Sequence, residues 1–353
     1  TNLVYFRIKN KLVEKVIDMS NLFIIGNGFD IAHGLPTKYA DFKKYLSDRI
    51  KINQGIKDND EDYIKITEIP SLPEQKIWCK KGVCAEYWKE ERLIYWLIDE
   101  VSNKKSDMKW SDFETYLSEL NIHSVLEKWG YTIDNAMKIQ ETICDISGFF
   151  FRWINTIDLS KAQKKSNLEK IIRGDTDFVL SFNYTETLER IYGVCKHNIC
   201  HIHGTRETNY EEQKRKDMVS IGKDYCNLII GYEEKLLNLK EHNLLYSDEN
   251  IRNAILIAKT GLIKDVDQNI FNEKAFFENI EKADIQNIYS VGLSYSNVDM
   301  PYIREICDRI RKSKKIKECM WYFEEYDSTE RRNEFKRKIT EAGYNGSYAE
   351  FRM

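Results

Sequence analysis

The chain has 353 residues, 42% of them hydrophobic and 31% charged, a composition that fits one large folded domain or two ordinary ones and excludes disorder as the default. Its 54 basic and 57 acidic residues leave a formal net charge of -3, so no bulk field draws it toward nucleic acid or an anionic membrane. No apolar run is long enough to span a bilayer and no signal-like block opens the chain. The expectation is therefore a cytoplasmic protein whose eight cysteines are reduced thiols.

In chain order, residues 1–18 read as an N-terminal extension, with Met19 a plausible natural start and Leu12, Val13, Val16 and Ile17 able to dock as a short helix. Leu22, Phe23, Ile24 and Ile25 follow as an apolar run without alternation, the pattern of a strand buried on both faces of a parallel sheet. Gly26 and Gly28 then allow a tight turn and a close approach of the backbone to a ligand. The third glycine of a dinucleotide fingerprint is missing, since Ile31 stands in its place. Gly34, Leu35 and Pro36 interrupt the following helix after about two turns, and Thr37 is placed to cap a new one through Tyr39, Phe42 and Leu46. Taken alone, this stretch is equally an ordinary strand-turn-helix junction with no ligand.

Residues 38–174 read almost entirely as helix, an insertion after the first strand. Phe113, Leu117, Leu120 and Val125 share one helix face, and Ile143, Ile146, Phe150, Trp153 and Ile157 share another, both read as core packing. From residue 175 short apolar strands alternate with helices: FVLSF (178–182), NICHIHG (198–204), LIIGY (228–232), IQNIYSVG (285–292) and ECMWYFEE (318–325). Helical patterns cover 186–192, 273–282, 299–311 and 328–342, while Glu207 to Asn227, polar, charged and without periodicity, reads as a mobile lid or a surface excursion. The expected fold class is α/β, a Rossmann-like, mostly parallel sheet formed by residues 19–37 and 175–353, interrupted by the helical insertion.

In such a sheet ligands bind beyond the carboxyl ends of the strands. Those positions here hold Gly26, Asn27, Gly28 and Asp30; Asn183 and Thr185; His203 and Gly204; Gly231; and Gly292, Ser294 and Asp299. Each has a structural alternative. Asn183 could make an Asx turn with Thr185 as a helix cap, Asp30 or Asp299 could cap helices, and a strand-end histidine is more often a turn residue than a catalyst. The Cys79/Cys84 and Cys195/Cys200 spacings fall in the zinc range. Strand alternation, however, sends Cys200 and Ile202 to one face and His201 and His203 to the other, so no metal is expected.

Five segments in order, LFIIGNGFDIAHGLPTKYADF from Leu22, WSDFE from Trp110, SFNYTETLE from Ser181, HIHGT from His201 and VGLSYSNVDMPY from Val291, together resemble the AbiH family of bacterial abortive-infection, phage-defence proteins. That family is distantly similar to the sirtuin-like NAD-binding fold. The likeness sets Gly26 to Asp30, including Phe29, beside the sirtuin Gly-Ala-Gly loop, and Gly34 to Thr37 beside its Gly-Ile-Pro segment. Asn183 matches the asparagine of the Thr-Gln-Asn-Ile-Asp motif, His203 and Gly204 the catalytic His-Gly pair, and Gly292 with Ser294 the later Gly-Thr-Ser loop. The implied cofactor is NAD, as substrate or ligand. It would be held by Gly26, Asn27, Gly28, Phe29, Asp30, Pro36, Thr37, Thr185, Gly204, Gly292 and Ser294, with His203 and Asn183 catalysing hydrolysis to nicotinamide and ADP-ribose. Asn27 departs from the usual alanine, Asp30 from a serine, and the four-cysteine zinc module of the deacetylases is missing, which argues against deacylation. A small-molecule nucleotide, a phage-derived trigger and a second copy of the chain are the implied partners. The rival from another class is a nucleotide-binding sensor or scaffold without turnover. A nuclease or nucleic-acid binder is disfavoured by the balanced charge and the lack of an acidic metal cluster.

Overall fold

The computed structural model describes residues 19–53, 63–66, 77–80, 110–118, 122–206, 228–229, 231, 248–261, 263–313 and 316–353. Its organising element is β1 (Met19–Ile25), buried at every residue but Met19 because both of its faces and both of its edges are covered. A gapless apolar run suits such a position, since alternation is needed only where one face meets water.

After β1 come α1 (Asn27–Ala32), α2 (Tyr39–Asn53), an antiparallel pair β2 (Tyr63–Ile66) and β3 (Ile77–Lys80), then α3 (Trp110–Ser118), α4 (Ile122–Trp129), α5 (Ile133–Ile154) and α6 (Ser166–Ile171). The sheet resumes with β4 (Phe178–Ser181), α7 (Thr187–Tyr192) and β5 (Ile199–His201), followed by α8 (Glu249–Thr260), α9 (Val266–Asn272) and α10 (Lys274–Lys282). It closes with β6 (Asp284–Val291), α11 (Met300–Lys312), β7 (Met320–Glu324), α12 (Thr329–Glu341) and β8 (Ser347–Phe351).

Six strands form one sheet in the order β5-β4-β1-β6-β7-β8, and every neighbouring pair is parallel. Numbered among themselves, these strands lie in the order 3-2-1-4-5-6, that of a doubly wound sheet, with the topological switch between β1 and β6. Side-chain alternation sorts the core into two layers. Leu22, Ile24, Leu180, Ile288 and Trp321 meet Phe277 and Ile280 of α10, Ile303 and Ile306 of α11 and Phe335 of α12. Phe23, Ile25, Val179 and Val291 meet Phe29 of α1, Leu168 of α6 and Leu188 of α7.

A third core lies in the helical body, where Trp110 is ringed by Tyr39, Phe42, Phe113, Phe150 and Trp153 with ring centroids 5.2–5.9 Å away. Phe113, Leu117, Val125, Ile143, Ile146, Phe150, Trp153 and Ile157 all pack there, so these aromatic faces are core; Leu120 lies outside the described residues. The body also recruits α8 from the second half of the chain, through Ile251, Ala254, Ile255 and Ala258.

Several expectations are corrected. The interval read as helix contains the β2/β3 pair, whose short Ile-rich runs match strand as well as helix. LIIGY is not a strand at Leu228, Ile229 or Gly231. Ile229 instead donates its N–H to the His203 carbonyl and accepts the Tyr184 hydroxyl, so its polar groups are satisfied outside the sheet. The sixth strand, β8, was not expected, because its half-exposed edge position asks for no apolar run. The N-terminal extension, the 207–227 excursion and Cys84 lie outside the described residues.

Candidate functional site

The turn after β1 is built around backbone contact. Gly26 and Gly28 donate their N–H groups to the carbonyls of Val291 and Gly292 at 2.9 and 3.0 Å. A Cβ on Gly28 would stand 2.6 Å from the Gly292 Cα, and one on Gly292 only 2.1 Å from the Phe29 nitrogen. Gly292 also has φ +62, so its conformation and its space both require glycine. In this structure the close approach that the glycines permit is thus between the β1 and β6 loops, across the switch point. Phe29 is a core residue whose ring lies tilted against His33 with centroids 4.1 Å apart, Pro36 is exposed, and Gly204 and Ser294 are half-buried. Gly204 closes the turn after β5 at φ +80.

Asn27 and Thr37 are joined, since the Asn27 amide donates to the Thr37 carbonyl at 2.9 Å. The same carbonyl accepts the Trp110 indole N–H, also at 2.9 Å. The WSDFE segment of the helical body is thereby anchored to the edge of the sheet. Thr37 is 2% exposed, yet its hydroxyl has no hydrogen-bond partner.

Asp30 is the centre of a second group. Its carboxylate, at the first turn of α1, accepts the Thr185 hydroxyl at 2.6 Å and the Thr187 hydroxyl at 2.9 Å. Burial raises its pKa to about 6 despite those bonds, the nearby His201 and a further hydrogen bond from Asn183. Asn183 is 5% exposed and its side-chain oxygen Oδ1 is unpartnered. The Asn183 carbonyl contacts His201 Nδ1 at 3.1 Å, while His201 Nε2 pairs with Glu189 at 2.9 Å. Burial alone would lower the His201 pKa, but Glu189 and that carbonyl outweigh it and the net direction is upward.

His203 belongs to a third group. Its ring packs against Phe182, Tyr184 and Tyr302 with centroids at 5.4, 6.0 and 6.1 Å. At 4% exposure its Nε2 has no partner. Burial pushes its pKa well down, Lys264 pushes it further, and a bond to the Phe182 carbonyl opposes both. His201 and His203 therefore do not share a face: His201 meets Glu189 on the α7 side, whereas His203 meets Phe182 and Tyr302 on the α11 side. The alternation fails because β5 ends at His201 and the chain turns at 202–203.

Beside this group Lys264 and Glu114 form an ion pair of 2.5 Å, with side chains 1% and 12% exposed. Neither was expected as a site residue. Glu114 lies one helical turn from Trp110 within WSDFE, a motif that sequence flagged without assigning it chemistry; Lys264 carried no signal. Other polar residues nearby are structural. Arg206 bonds Glu186 at 2.9 Å and the Ile157 carbonyl at 2.7 Å, tying the end of the insertion to the sheet. Cys200 is buried in the core and Cys195 contacts Asp175. Among the described residues no group of three or more His, Cys, Asp or Glu could hold a metal.

By strand order this is a doubly wound α/β protein whose buried polar groups gather where that class binds ligands, at the carboxyl edge beside the switch point. Searches of curated proteins and of solved structures give no match. The family model described as Bacteriophage abortive infection AbiH matches residues 22–322, most of the chain, and the chain belongs to that family. Its role is accordingly in the abortive infection of phage-infected bacteria. Among the described residues no helix is long and apolar enough to cross a membrane.

Proposed function

We propose that the protein is a cytoplasmic effector of abortive infection that binds NAD at the carboxyl edge of its sheet and hydrolyses it to nicotinamide and ADP-ribose. The observation that carries this reading is the set of open polar atoms at Thr37, Asn183 and His203, three residues singled out from sequence. A buried polar atom without a partner is costly, and a ligand that supplies the partner removes the cost. Asn183 Oδ1 is an acceptor. His203 Nε2 is one too when Nδ1 carries the proton toward the Phe182 carbonyl. Each is an acceptor of the kind that a ribose hydroxyl would meet. The sirtuin likeness of GNGFD, Asn183 and the His-Gly pair supports the same ligand.

The chemistry asks little of the protein. When the nicotinamide-ribose bond breaks, its electron pair goes to the pyridinium nitrogen, which leaves neutral and needs no acid. Water adds to the ribose C1′, and its proton passes to His203 Nε2 or to solvent. The protein must hold the ribose and stabilise an oxocarbenium-like transition state. A neutral His203 is suited to holding the ribose hydroxyl; with its pKa pushed well down it is a weak base, so the water's proton passes chiefly to solvent.

The test is incubation of purified protein with NAD, alone and with phage lysate as activator, with mass spectrometry for nicotinamide and ADP-ribose. His203→Ala and Asn183→Ala should abolish product while circular dichroism stays unchanged. Turnover persisting in both folded variants removes the catalytic assignment. NAD bound without product under every activating condition turns the reading to a sensor.

A further inference from the structure

Both ring nitrogens of His201 face groups that can only accept a hydrogen bond. Nδ1 lies 3.1 Å from the Asn183 carbonyl, and Nε2 lies 2.9 Å from Glu189 Oε1 on α7. The carbonyl has no proton to give, so Nδ1 must carry one. The contact with Glu189 needs a second proton, and imidazole is a stronger base than carboxylate, so that proton sits on Nε2. A neutral ring would set a bare nitrogen against either the carbonyl or the carboxylate, whereas the charged ring satisfies both. The charged groups acting on it are Glu189 and Glu186 at the start of α7 and Asp30 on α1, with Arg206 taken up by Glu186. Ionised, each of these carboxyls favours the charged form. The two side chains are 12% and 10% exposed, and a pair so deeply buried contributes little net stability. Glu189 Oε2, buried without a partner, adds to the cost, so stability alone does not account for the pair.

What the pair touches is Asn183. This residue lies beyond the end of β4, where the sheet no longer pairs its main chain, and His201 ends the neighbouring strand β5. The Asn183 N–H donates to the Ser181 hydroxyl at 3.2 Å and its carbonyl accepts from His201, so the main chain is held on both sides. At the same residue Oδ1 is open. We infer that His201 and Glu189 are a positioning pair for the proposed site: the Glu189 carboxylate keeps His201 doubly protonated, and the Nδ1–H fixes the main chain of Asn183 so that Oδ1 is held for a ligand hydroxyl. The identity of that hydroxyl rests on the proposed NAD reading; the state of His201 and its hold on Asn183 do not. The two histidines of HIHGT then divide the work, since His201 is engaged at both nitrogens while His203 leaves Nε2 open. Glu189, the last residue of SFNYTETLE, gains a role toward the Asn183 of the same segment.

The experiment is nitrogen-15 NMR of the full chain labelled in histidine and asparagine, with His201 assigned from His201→Leu and Asn183 from Asn183→Ala. In the wild type both ring nitrogens of His201 should carry protons at neutral pH. Glu189→Gln removes the carboxylate, so the His201 midpoint should move down and the side-chain amide signals of Asn183 should shift once the ring is neutral. His201→Asn places an amide donor where Nδ1 lies and should keep the Asn183 signals near their wild-type positions, whereas His201→Leu has no donor and should move them. Under activating conditions nicotinamide release should fall in His201→Leu and return in His201→Asn. A neutral His201 in the wild type at neutral pH overturns the inference, as do Asn183 signals that stay in place in both Glu189→Gln and His201→Leu. Should one variant fail to fold, the wild-type ring and the other variant still decide. If nicotinamide is never released yet His201 and Asn183 behave as described, the NAD reading fails and the positioning pair stands.

Discussion

Replacing Asp30 by asparagine should make the protein more stable at neutral pH, and the size of the gain follows from the burial of its carboxyl. The folded pKa is raised from 3.8 to about 6, so the folded state holds on to a proton that the unfolded chain releases earlier. Stability from this group is therefore fully present below about pH 4 and is lost as pH rises to about 6. A shift of roughly two units corresponds to roughly 3 kcal/mol of destabilisation at neutral pH, and about half of it has already developed near pH 5. Asparagine removes that penalty but weakens the bonds from the Thr185 and Thr187 hydroxyls, at about 1 kcal/mol. A net gain of about 2 kcal/mol is expected above pH 7, turning into a loss of about 1 kcal/mol below about pH 4, where the penalty is gone and only the weakened bonds remain. Urea unfolding of both proteins across that range measures it, since the difference between them cancels every other titrating group that the substitution leaves alone. A variant less stable than wild type at pH 7.5, or a difference independent of pH, would refute the reasoning. Retention of a carboxylate at such a cost fits a site rather than a scaffold.

Two further substitutions test the scaffold around the site. Gly292→Ala would push its Cβ to 2.1 Å from the Phe29 nitrogen at φ +62, so a loss of about 3 kcal/mol or more is expected in the same unfolding assay. Arg206→Ala removes the guanidinium from the buried Glu186 and from the Ile157 carbonyl; about 3 kcal/mol should go, with limited proteolysis attacking the helical body first.

The sheet was legible where strands are buried on both faces. Leu22 to Ile25, Phe178 to Phe182, the run ending at Val291 and that around Trp321 all announced themselves by apolar runs between glycine or charged turns. Segments whose state depends on partners were not legible. β8 is half-exposed and exists because β7 offers an open edge, while the apolar Leu228 and Ile229 settle beside Tyr184 and the His203 turn instead of joining the sheet. Helix α8 is absent from the sequence reading for a similar reason, since its apolar face is meaningful only against α5. The site shows the same division. Residues next to strand ends could be named from topology alone, but Lys264 could not, because its partner Glu114 is 150 residues away.

The buried polar residues around the sheet differ in how fully their atoms are satisfied. Asp177 is as buried as Asp30, yet it accepts from the Asn21 backbone and side chain and from the Arg173 backbone and guanidinium, a clamp that holds β1 beside β4. Arg206 is similarly committed to Glu186 and to the carbonyls of Ile154 and Ile157. Thr37, Asn183 and His203 are equally deep, and each leaves one side-chain atom open. Thr176 Oγ1 and Glu189 Oε2 are open as well, so an open buried atom is not by itself the mark of a ligand, and the proposed site rests on three of them being at residues beside the strand ends. The buried Glu114 and Lys264 ion pair joins α3 of the helical body to the segment that follows α8.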